Sequence, residues 1–266
     1  MNETLLARGR RGDALGDLAI VDMHAHFGRY MQAIPDLSAE GLIRVMDRLG
    51  VASVMVSHMQ CTSLFARRGN DEVAAVMRAY PGRVRAYAVV SPVGPPGPAA
   101  ELKRCLALGF SGLKIHTANS FAYTDPAYAG AFEIAAERRL PVLLHTWGAE
   151  ADFKAVRELA ARYSGAAFLI AHSGAGNGET ECIRVARELP NVYLDLAYSM
   201  GPRGLVARLV NGAGADKLVY GSDCYFFSMQ QQVGKVLGAA VTDADKRRIL
   251  STNARGLLER VVPSGA

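Results

Sequence analysis

The sequence lacks any long uninterrupted hydrophobic run. Half of its 266 residues are hydrophobic, yet no stretch approaches the roughly 18 apolar residues that a membrane-spanning helix needs. The first 13 residues carry Arg8, Arg10 and Arg11 but not the apolar core of a secretory signal. We therefore expect a protein of the cytoplasm that has no contact with membranes.

The sequence also contains few cysteines and no large excess of charge of one sign. The four cysteines form no CxxC pair and are predicted to be free thiols: Cys61, Cys105, Cys182 and Cys224. The 30 basic and 25 acidic side chains give a net charge of +5, and no run of basic residues exceeds three. Because basic residues alternate with acidic ones, the charge favours a solvated surface over a nucleic-acid interface. A small molecule is the expected partner.

Eight short apolar runs bounded by turn residues are the main feature that is present. They lie at 19–26, 51–58, 84–91, 112–117, 141–146, 167–173, 192–198 and 218–223. Their length and their content of Val, Ile and Leu favour buried strands. Their starts are 25 to 33 residues apart, and each interval holds one segment with helical periodicity. The repeated βα unit predicts an α/β fold, a single (β/α)8 TIM barrel.

The expected domain boundaries follow from this repeat. Residues 19–260 form the predicted barrel, including a C-terminal helix at 243–260, with an N-terminal extension at 1–18 and a tail at 261–266. The rival fold, a doubly wound sheet, usually carries a glycine-rich phosphate turn after its first strand. No such turn follows the first run.

The histidines indicate where the chemistry lies. All six stand at or next to the end of a predicted strand: His24, His26, His58, His116, His145 and His172. The C-terminal ends of barrel strands converge on one mouth, where active sites of this fold are built. A single histidine at a strand end is often a hydrogen-bonded core residue, but that reading does not account for the whole set.

A divalent metal ion would suit these residues. His24 and His26 are two positions apart, so both side chains point to the same side of the first strand. Asp223 ends the eighth run, which lies beside the first strand in a closed barrel. Imidazole and carboxylate together are ligands typical of zinc. We therefore predict a metal site that joins these residues to His145 and His172.

The ordered motifs MHAHFG, GLKIH, LPVLLHT, LIAHSG, NVYLDL, LVYGSD and DKRRILSTNARGLL resemble the amidohydrolase superfamily, in particular its amidohydrolase 2 branch of short metal-dependent barrels. The resemblance covers residues 19–260. It implies that one or two metal ions are held by five residues: His24, His26, His145, His172 and Asp223. We favour zinc, and one ion over two. Barrels of this kind commonly associate, so a homo-oligomer stays open.

The role of His172 has two alternatives. In the members of this branch with a single metal, the histidine that ends strand six is free. The resemblance therefore implies that His172 donates a hydrogen bond to a developing oxyanion, with metal binding as the alternative. The predicted ligands are then His24, His26, His145 and Asp223.

Lys114 lies inside the apolar fourth run, where a lysine is costly unless it is paired or neutral. Three roles are open. In relatives with two metals, a lysine of strand four is carboxylated and bridges the ions. Lys114 could instead pair with Asp195 or Asp22, or contact the substrate directly. We expect an unmodified amine with a catalytic role.

Three further residues are candidates for substrate binding: Arg29, His116 and Trp147. Arg29 and Trp147 follow predicted strands in segments that also hold many of the aromatic residues, whereas His116 lies near the end of the fourth run, where a structural role is the alternative. Aromatic rings beside arginine suit a cyclic or aromatic substrate with a carboxylate, which arginine binds through two hydrogen bonds. Ordinary packing of loops onto the barrel is the alternative.

The resemblance and the predicted site together favour a metal-dependent hydrolase. It would act on a small cyclic or carbonyl substrate, such as a lactone, amide or ester, with Asp223 accepting the proton of the attacking water. A metal-dependent non-oxidative decarboxylase of a small aromatic or unsaturated acid is the second hypothesis. A catalytically silent barrel that binds a metal is the third.

Overall fold

The computed structural model describes residues 3–29, 34, 36–59, 66–198 and 200–263. One parallel sheet runs in chain order through eight strands. The strands are β1 (Ile20–Phe27), β2 (Val51–His58), β3 (Val84–Val89), β4 (Gly112–Ile115), β5 (Pro141–Leu144), β6 (Ala167–Ile170), β7 (Val192–Asp195) and β8 (Leu218–Val219).

The sheet curls until its last strand meets its first. Met23 N donates to Tyr220 O at 2.8 Å, Ser222 N donates to His24 O at 3.1 Å, and Ala25 forms a parallel bridge with Cys224. Through these bonds, the residues that follow β8 pair with β1 and close the barrel. The predicted (β/α)8 TIM barrel is therefore confirmed, and the segment after β8 lies beside the histidines of β1.

Helices alternate with the strands around the barrel. They are α1 (Leu5–Arg11), α2 (Ala39–Leu49), α3 (Ala66–Ala79), α4 (Pro98–Ala107), α5 (Ala129–Glu137), α6 (Glu150–Arg162), α7 (Glu179–Glu188), α8 (Leu205–Ala213), α9 (Met229–Leu237), α10 (Asp243–Arg247) and α11 (Asn253–Glu259). A π-helical segment, Arg248–Thr252, joins α10 to α11. The predicted C-terminal helix is thus one continuous helical stretch. None of the helices described here is long and apolar enough to cross a membrane.

Local sequence explains where α2 begins and ends. Ser38 Oγ accepts a hydrogen bond from Gly41 N at 3.0 Å, which satisfies one of the free amides of the first turn. Gly50 ends the helix with φ 77°, and a Cβ there would meet backbone atoms of Leu15 and Gly16. Only glycine fits that position, because it combines a left-handed backbone with close contact.

The predicted N-terminal extension contains α1. Leu5 N donates a hydrogen bond to Asp243 at the start of α10, at 2.8 Å. The boundaries of the extension and of the tail stay predictions. Cys105, Cys182 and Cys224 are buried free thiols, as expected, whereas Cys61 lies outside the described residues.

Apolar side chains pack on both sides of the sheet. The larger cluster lies between strands and helices, as Val54, Phe132 and Phe168 illustrate. A second cluster, with side chains from six strands, fills the lower barrel and reaches Leu257 of α11. Tyr87 belongs to it and donates to Met23 O at 2.8 Å. The polar residues of the mouth therefore rest on a packed apolar floor.

Gly221, just after β8, packs directly against the polar residues Asp195 and His24 above the apolar floor. A Cβ on Gly221 would overlap Asp195 Oδ1 and lie 2.8 Å from His24 Cβ. Interiors are close-packed, so neither neighbour has room to retreat. The absence of a side chain at Gly221 lets β1 and β7 bring these two residues together.

We expect Gly221→Ala to lower the free energy of unfolding by about 1–3 kcal/mol, the usual cost of overpacking. The control is Gly234→Ala on the exposed face of α9, where a Cβ meets nothing within 4 Å. That change should stabilise the helix by about 0.5–1 kcal/mol. Urea unfolding of both variants checks the difference, and equal stabilities would contradict the steric argument.

Candidate metal centre

Four polar side chains converge where β1, β6 and β8 end: His24, His26, His172 and Asp223. All four are buried. Asp223 Oδ1 lies 3.1 Å from His26 Nε2 and 3.5 Å from His24 Nε2, and its Oδ2 lies 4.0 Å from His172 Nε2. The predicted approach of Asp223 to the two histidines of β1 is therefore present in the structure.

Oxygen acceptors on neighbouring strands orient the three imidazole rings. His24 Nδ1 donates to Asp195 Oδ2 at 2.8 Å, and His26 Nδ1 lies 3.0 Å from the hydroxyl oxygen and 3.3 Å from the carbonyl oxygen of Ser57. His172 Nδ1 donates to the carbonyl oxygen of Ala197. Because the Nδ1 atoms of His24 and His172 carry the proton, each of these two neutral rings presents the lone pair of Nε2.

These lone pairs face one another and the carboxylate of Asp223. The Nε2 lone pair of His24 lies 3.5 Å from Asp223 Oδ1, and two acceptors at that distance repel. A cation among them would remove the repulsion and bind every lone pair. Ligand atoms of His24, His172 and Asp223 lie within 4.8 Å of one another, which suits a shared metal ion. The donor set of imidazole and carboxylate fits zinc or a similar divalent ion.

Burial keeps the rings of His24 and His172 neutral. Desolvation, together with the charge of Lys114, lowers the pKa of His24 well below its usual value. Desolvation also lowers the pKa of His172 to about 4, against the opposing influence of Asp223. A neutral imidazole is the form that binds a metal. At neutral pH, no proton has to leave these two rings before an ion binds.

The backbone is strained at two of these residues. His172 has φ 57° and Asp223 has φ 53°, in the left-handed region that residues with a side chain rarely adopt. Each such residue costs on the order of 1–3 kcal/mol. The strain turns both side chains towards His24 and His26, and strained backbone of this kind is typical of functional sites.

His145 was predicted as a metal ligand, but it lies beside His172 instead of Asp223. Its Nδ1 is 3.3 Å from His172 Nε2, and its ring stacks on His116 with centroids 3.8 Å apart. Among the described residues it forms no ion pair with Asp223, while its buried Nε2 has no hydrogen-bond partner. The geometry therefore groups His172 with Asp223 more closely than it groups His145, and the roles expected for the two histidines stay predictions.

Lys114 reaches the same cluster from β4. It is 1% exposed, and its Nζ lies 3.3 Å from His24 Nε2. Burial lowers its pKa to about 8. In the ranges that the structure describes, it forms no ion pair with Asp195 or Asp22, so the pairing considered from the sequence is not found. Asp195 is already engaged by His24.

Two fully buried carboxylates support the cluster from below. Asp22 Oδ1 accepts hydrogen bonds from His24 N and Ser222 N, both at 3.0 Å. Asp195 accepts from His24 Nδ1 and, at 3.3 Å, from Ala197 N. Burial raises the pKa of Asp22 to about 7 and that of Asp195 to about 8. A nearby cation would favour the ionised form of both, which again suits a metal site.

The predicted substrate-binding residues lie at different depths. Trp147 is 54% exposed, and its ring stacks on His172 at 4.8 Å with an angle of 8° between the planes. His116 is half-buried and accepts a hydrogen bond from Ala118 N. Arg29 is exposed and lines a groove with His58 that contains no residue of the cluster. The structure thus brings Trp147 and His116 to the site, but not Arg29.

Sequence reasoning missed the residues that orient the rings. Asp195 was considered only as a partner of Lys114, and Ser57 and Ala197 were not considered. A signal was available for Asp195, because it ends a strand next to β8 in a closed barrel. Metal-binding histidines usually donate their second ring nitrogen to such a carboxylate.

Comparisons with known proteins identify a matching family and several similar structures. A family model described as amidohydrolase matches residues 21–260. No curated protein matches the chain in sequence. Similar solved structures include dihydroxybenzoic acid decarboxylase from Polaromonas sp. JS666, with bound manganese and the inhibitor 2-nitroresorcinol. It is 20% identical with a TM-score of 0.73, covering 91% of this chain and 97% of that chain.

Two other similar structures are associated with other reactions. One is 4-oxalomesaconate hydratase from Rhodopseudomonas palustris, 18% identical with a TM-score of 0.69, covering 91% of this chain and 96% of that chain. The other is a Pseudomonas putida protein to which 2-pyrone-4,6-dicarboxylic acid hydrolase activity is attributed. It is 17% identical with a TM-score of 0.72, covering 91% of this chain and 98% of that chain. At these identities the likeness establishes the fold alone.

We expect Asp195→Asn to weaken metal binding by about ten- to a hundredfold, as is usual when a carboxylate that orients a ligand histidine is lost. The amide keeps the size of the side chain, but its NH2 group cannot accept a hydrogen bond. One of the two donors that Asp195 accepts from, His24 Nδ1 or Ala197 N, would therefore lose its acceptor. Competition with a chromophoric zinc chelator measures the affinity. Asp216→Asn, on an exposed residue, is the control. Equal affinities in the two variants would contradict the orienting role.

Proposed function

The chain belongs to the amidohydrolase family, and from that premise we propose that it is a metal-dependent hydrolase acting on a carbonyl group of a small molecule. One observation carries the proposal: the Nε2 atoms of His24, His26 and His172 converge on the carboxylate of Asp223. Such a cluster has little structural value without a cation, because its members repel one another.

The residues that would hold the ion are His24, His26 and Asp223, completed by His172 or His145. We favour zinc and a single ion. When bound, a divalent ion supplies Lewis acidity, polarising an oxygen atom of the substrate and easing the deprotonation of water. The buried Nε2 of His145, which has no partner among the described residues, is available as a further donor.

Asp223 is suited to two tasks at once. Its Oδ1 faces the two histidines of β1, whereas its Oδ2 faces His172. One oxygen can therefore bind the ion while the other accepts the proton of the attacking water and later delivers it to the leaving group. This division supports a reaction in which water adds to the substrate.

The geometry argues for metal binding as the role of His172. Its Nδ1 proton is held by Ala197 O, so the neutral ring has no second proton to donate to an oxyanion. Donation would require the protonated ring, and burial opposes that by lowering the pKa to about 4. We therefore assign His172 to the ligands, in place of the hydrogen bond to the oxyanion expected from the sequence.

A non-oxidative decarboxylase of a small aromatic acid is the second candidate. Two partly exposed rings support it: Trp147 stacks on His172, and Phe226 contacts His26 edge to face at 5.9 Å. These rings could hold a planar substrate near the cluster. The Polaromonas structure, a manganese-containing dihydroxybenzoic acid decarboxylase, is also consistent with this reaction.

The purified protein should contain close to one equivalent of a divalent transition metal, and a strong chelator should abolish its turnover. Metal analysis and a panel of lactones, esters, amides and aromatic acids test both statements. Release of carbon dioxide would favour the decarboxylase. Full activity in chelator would contradict metal dependence, and bound metal without any turnover would favour the silent barrel.

Asp223→Asn should keep its metal but lose turnover, because the amide retains one oxygen ligand and cannot take a proton. General-base catalysis contributes about a hundred- to ten-thousandfold, so kcat should fall by that order with a smaller change in KM. Asp216→Asn again serves as the control. If Asp223→Asn turns over at the wild-type rate with metal bound, Asp223 is a ligand only.

A further inference from the structure

Among the residues that the structure describes, Lys114 is a buried amine without an oxygen acceptor. In the part of the chain that the structure describes, the one atom within hydrogen-bond distance of its Nζ is His24 Nε2, at 3.3 Å. A lysine ammonium group carries three donors. Buried polar groups are normally paired, and an unpaired charge is costly.

Two other lysines of this chain show the usual arrangement. Lys217 Nζ donates to the carbonyl oxygens of Leu189, Pro190 and Val192. Lys235 Nζ likewise donates to three oxygen atoms, two of them backbone carbonyls. Lys114 is more deeply buried than either. Its lack of acceptors is therefore local to the site.

A bound metal would remove even the contact with His24. The Nδ1 proton of His24 is held by Asp195, so its single Nε2 lone pair cannot serve both an ion and Lys114. Asp195 and Asp223 attract the amine electrostatically but form no ion pair with it within the described residues. With the ion in place, oxygen acceptors for Lys114 have to come from another molecule.

We propose that Lys114 binds an anionic oxygen of the substrate, and that the substrate is therefore a small carboxylic acid. This inference rests on the proposed function and specifies its substrate class. The Nζ atom lies beside His24 Nε2, so a carboxylate that reaches the metal centre also reaches the amine. The exposed ring of Trp147 lies over His172 at the mouth. The anionic end of the substrate would point inwards and its apolar part outwards.

The test compares Lys114→Met with Lys103→Met, a change of an exposed lysine on α4. Methionine matches the length of lysine without its charge. The zinc-loaded proteins are titrated with acetate, benzoate and the neutral benzamide. Calorimetry gives the affinities, and the fluorescence of Trp147, the chain's one tryptophan, gives a second readout.

We expect Lys114→Met to weaken acetate and benzoate binding about ten- to a hundredfold, since one charge-assisted hydrogen bond is lost. Benzamide affinity should not change, and zinc should stay bound at least as tightly, because a positive charge beside His24 is removed.

Equal carboxylate affinities in Lys114→Met and Lys103→Met would overturn the inference, as would a wild-type protein that binds neither acetate nor benzoate. Loss of zinc in Lys114→Met would also overturn it, because the amine would then belong to the metal site. Lys114→Gln replaces the methionine variant if that does not fold. Failure of the proposed function is distinguishable, since it would show as absent metal or chelator-resistant turnover in the wild type.

Discussion

The hydrogen bond between His24 Nδ1 and Asp195 Oδ2, 2.8 Å long, is the interaction on which the site depends. It links β1 to β7 across the segment that follows β8. Gly221 makes the link sterically feasible, because any side chain there would overlap the carboxylate. Asp195 also accepts hydrogen bonds from the backbone amides of His172 and Ala197. One carboxylate thereby sets the ring orientation of His24 and helps hold the turn that carries His172.

The mouth and the floor of the barrel have opposite chemistry. Below, Met23, Tyr87 and Leu143 belong to a packed apolar layer that needs no ligand to be stable. Above it, buried imidazoles, carboxylates and a lysine face one another with few compensating partners. Such groups are costly in a dry interior, and the left-handed backbone at His172 and Asp223 adds to the cost. Buried polar groups and strained backbone are unfavourable features that proteins tolerate at functional sites, because the surrounding barrel supplies the stability.

This arrangement separates the frame from the reaction. Eight strands and their helices place polar side chains at one rim, and the same frame is shared by proteins that carry out different chemistry. What this chain adds is a cluster of imidazoles and a carboxylate that could hold a metal ion, a buried amine beside it and an aromatic ring at the mouth. With an ion bound, the proposed site would have a cationic interior and an apolar entrance, which would suit small molecules with an acidic group at one end.

The sequence by itself determined the barrel, the strand ends at which the histidines lie and the neighbourhood of Asp223 and the His24/His26 pair. These features follow from local periodicity and from the adjacency of first and last strands in any closed barrel. Only the tertiary structure decided that His172 approaches Asp223 more closely than His145 does, that Asp195 accepts a hydrogen bond from His24, and that Lys114 has no oxygen partner within the described ranges. The physical reason is that ring orientation depends on acceptors from other strands. Those acceptors meet only when turns with unusual backbone angles bring them together, and no pattern within a single strand encodes that meeting.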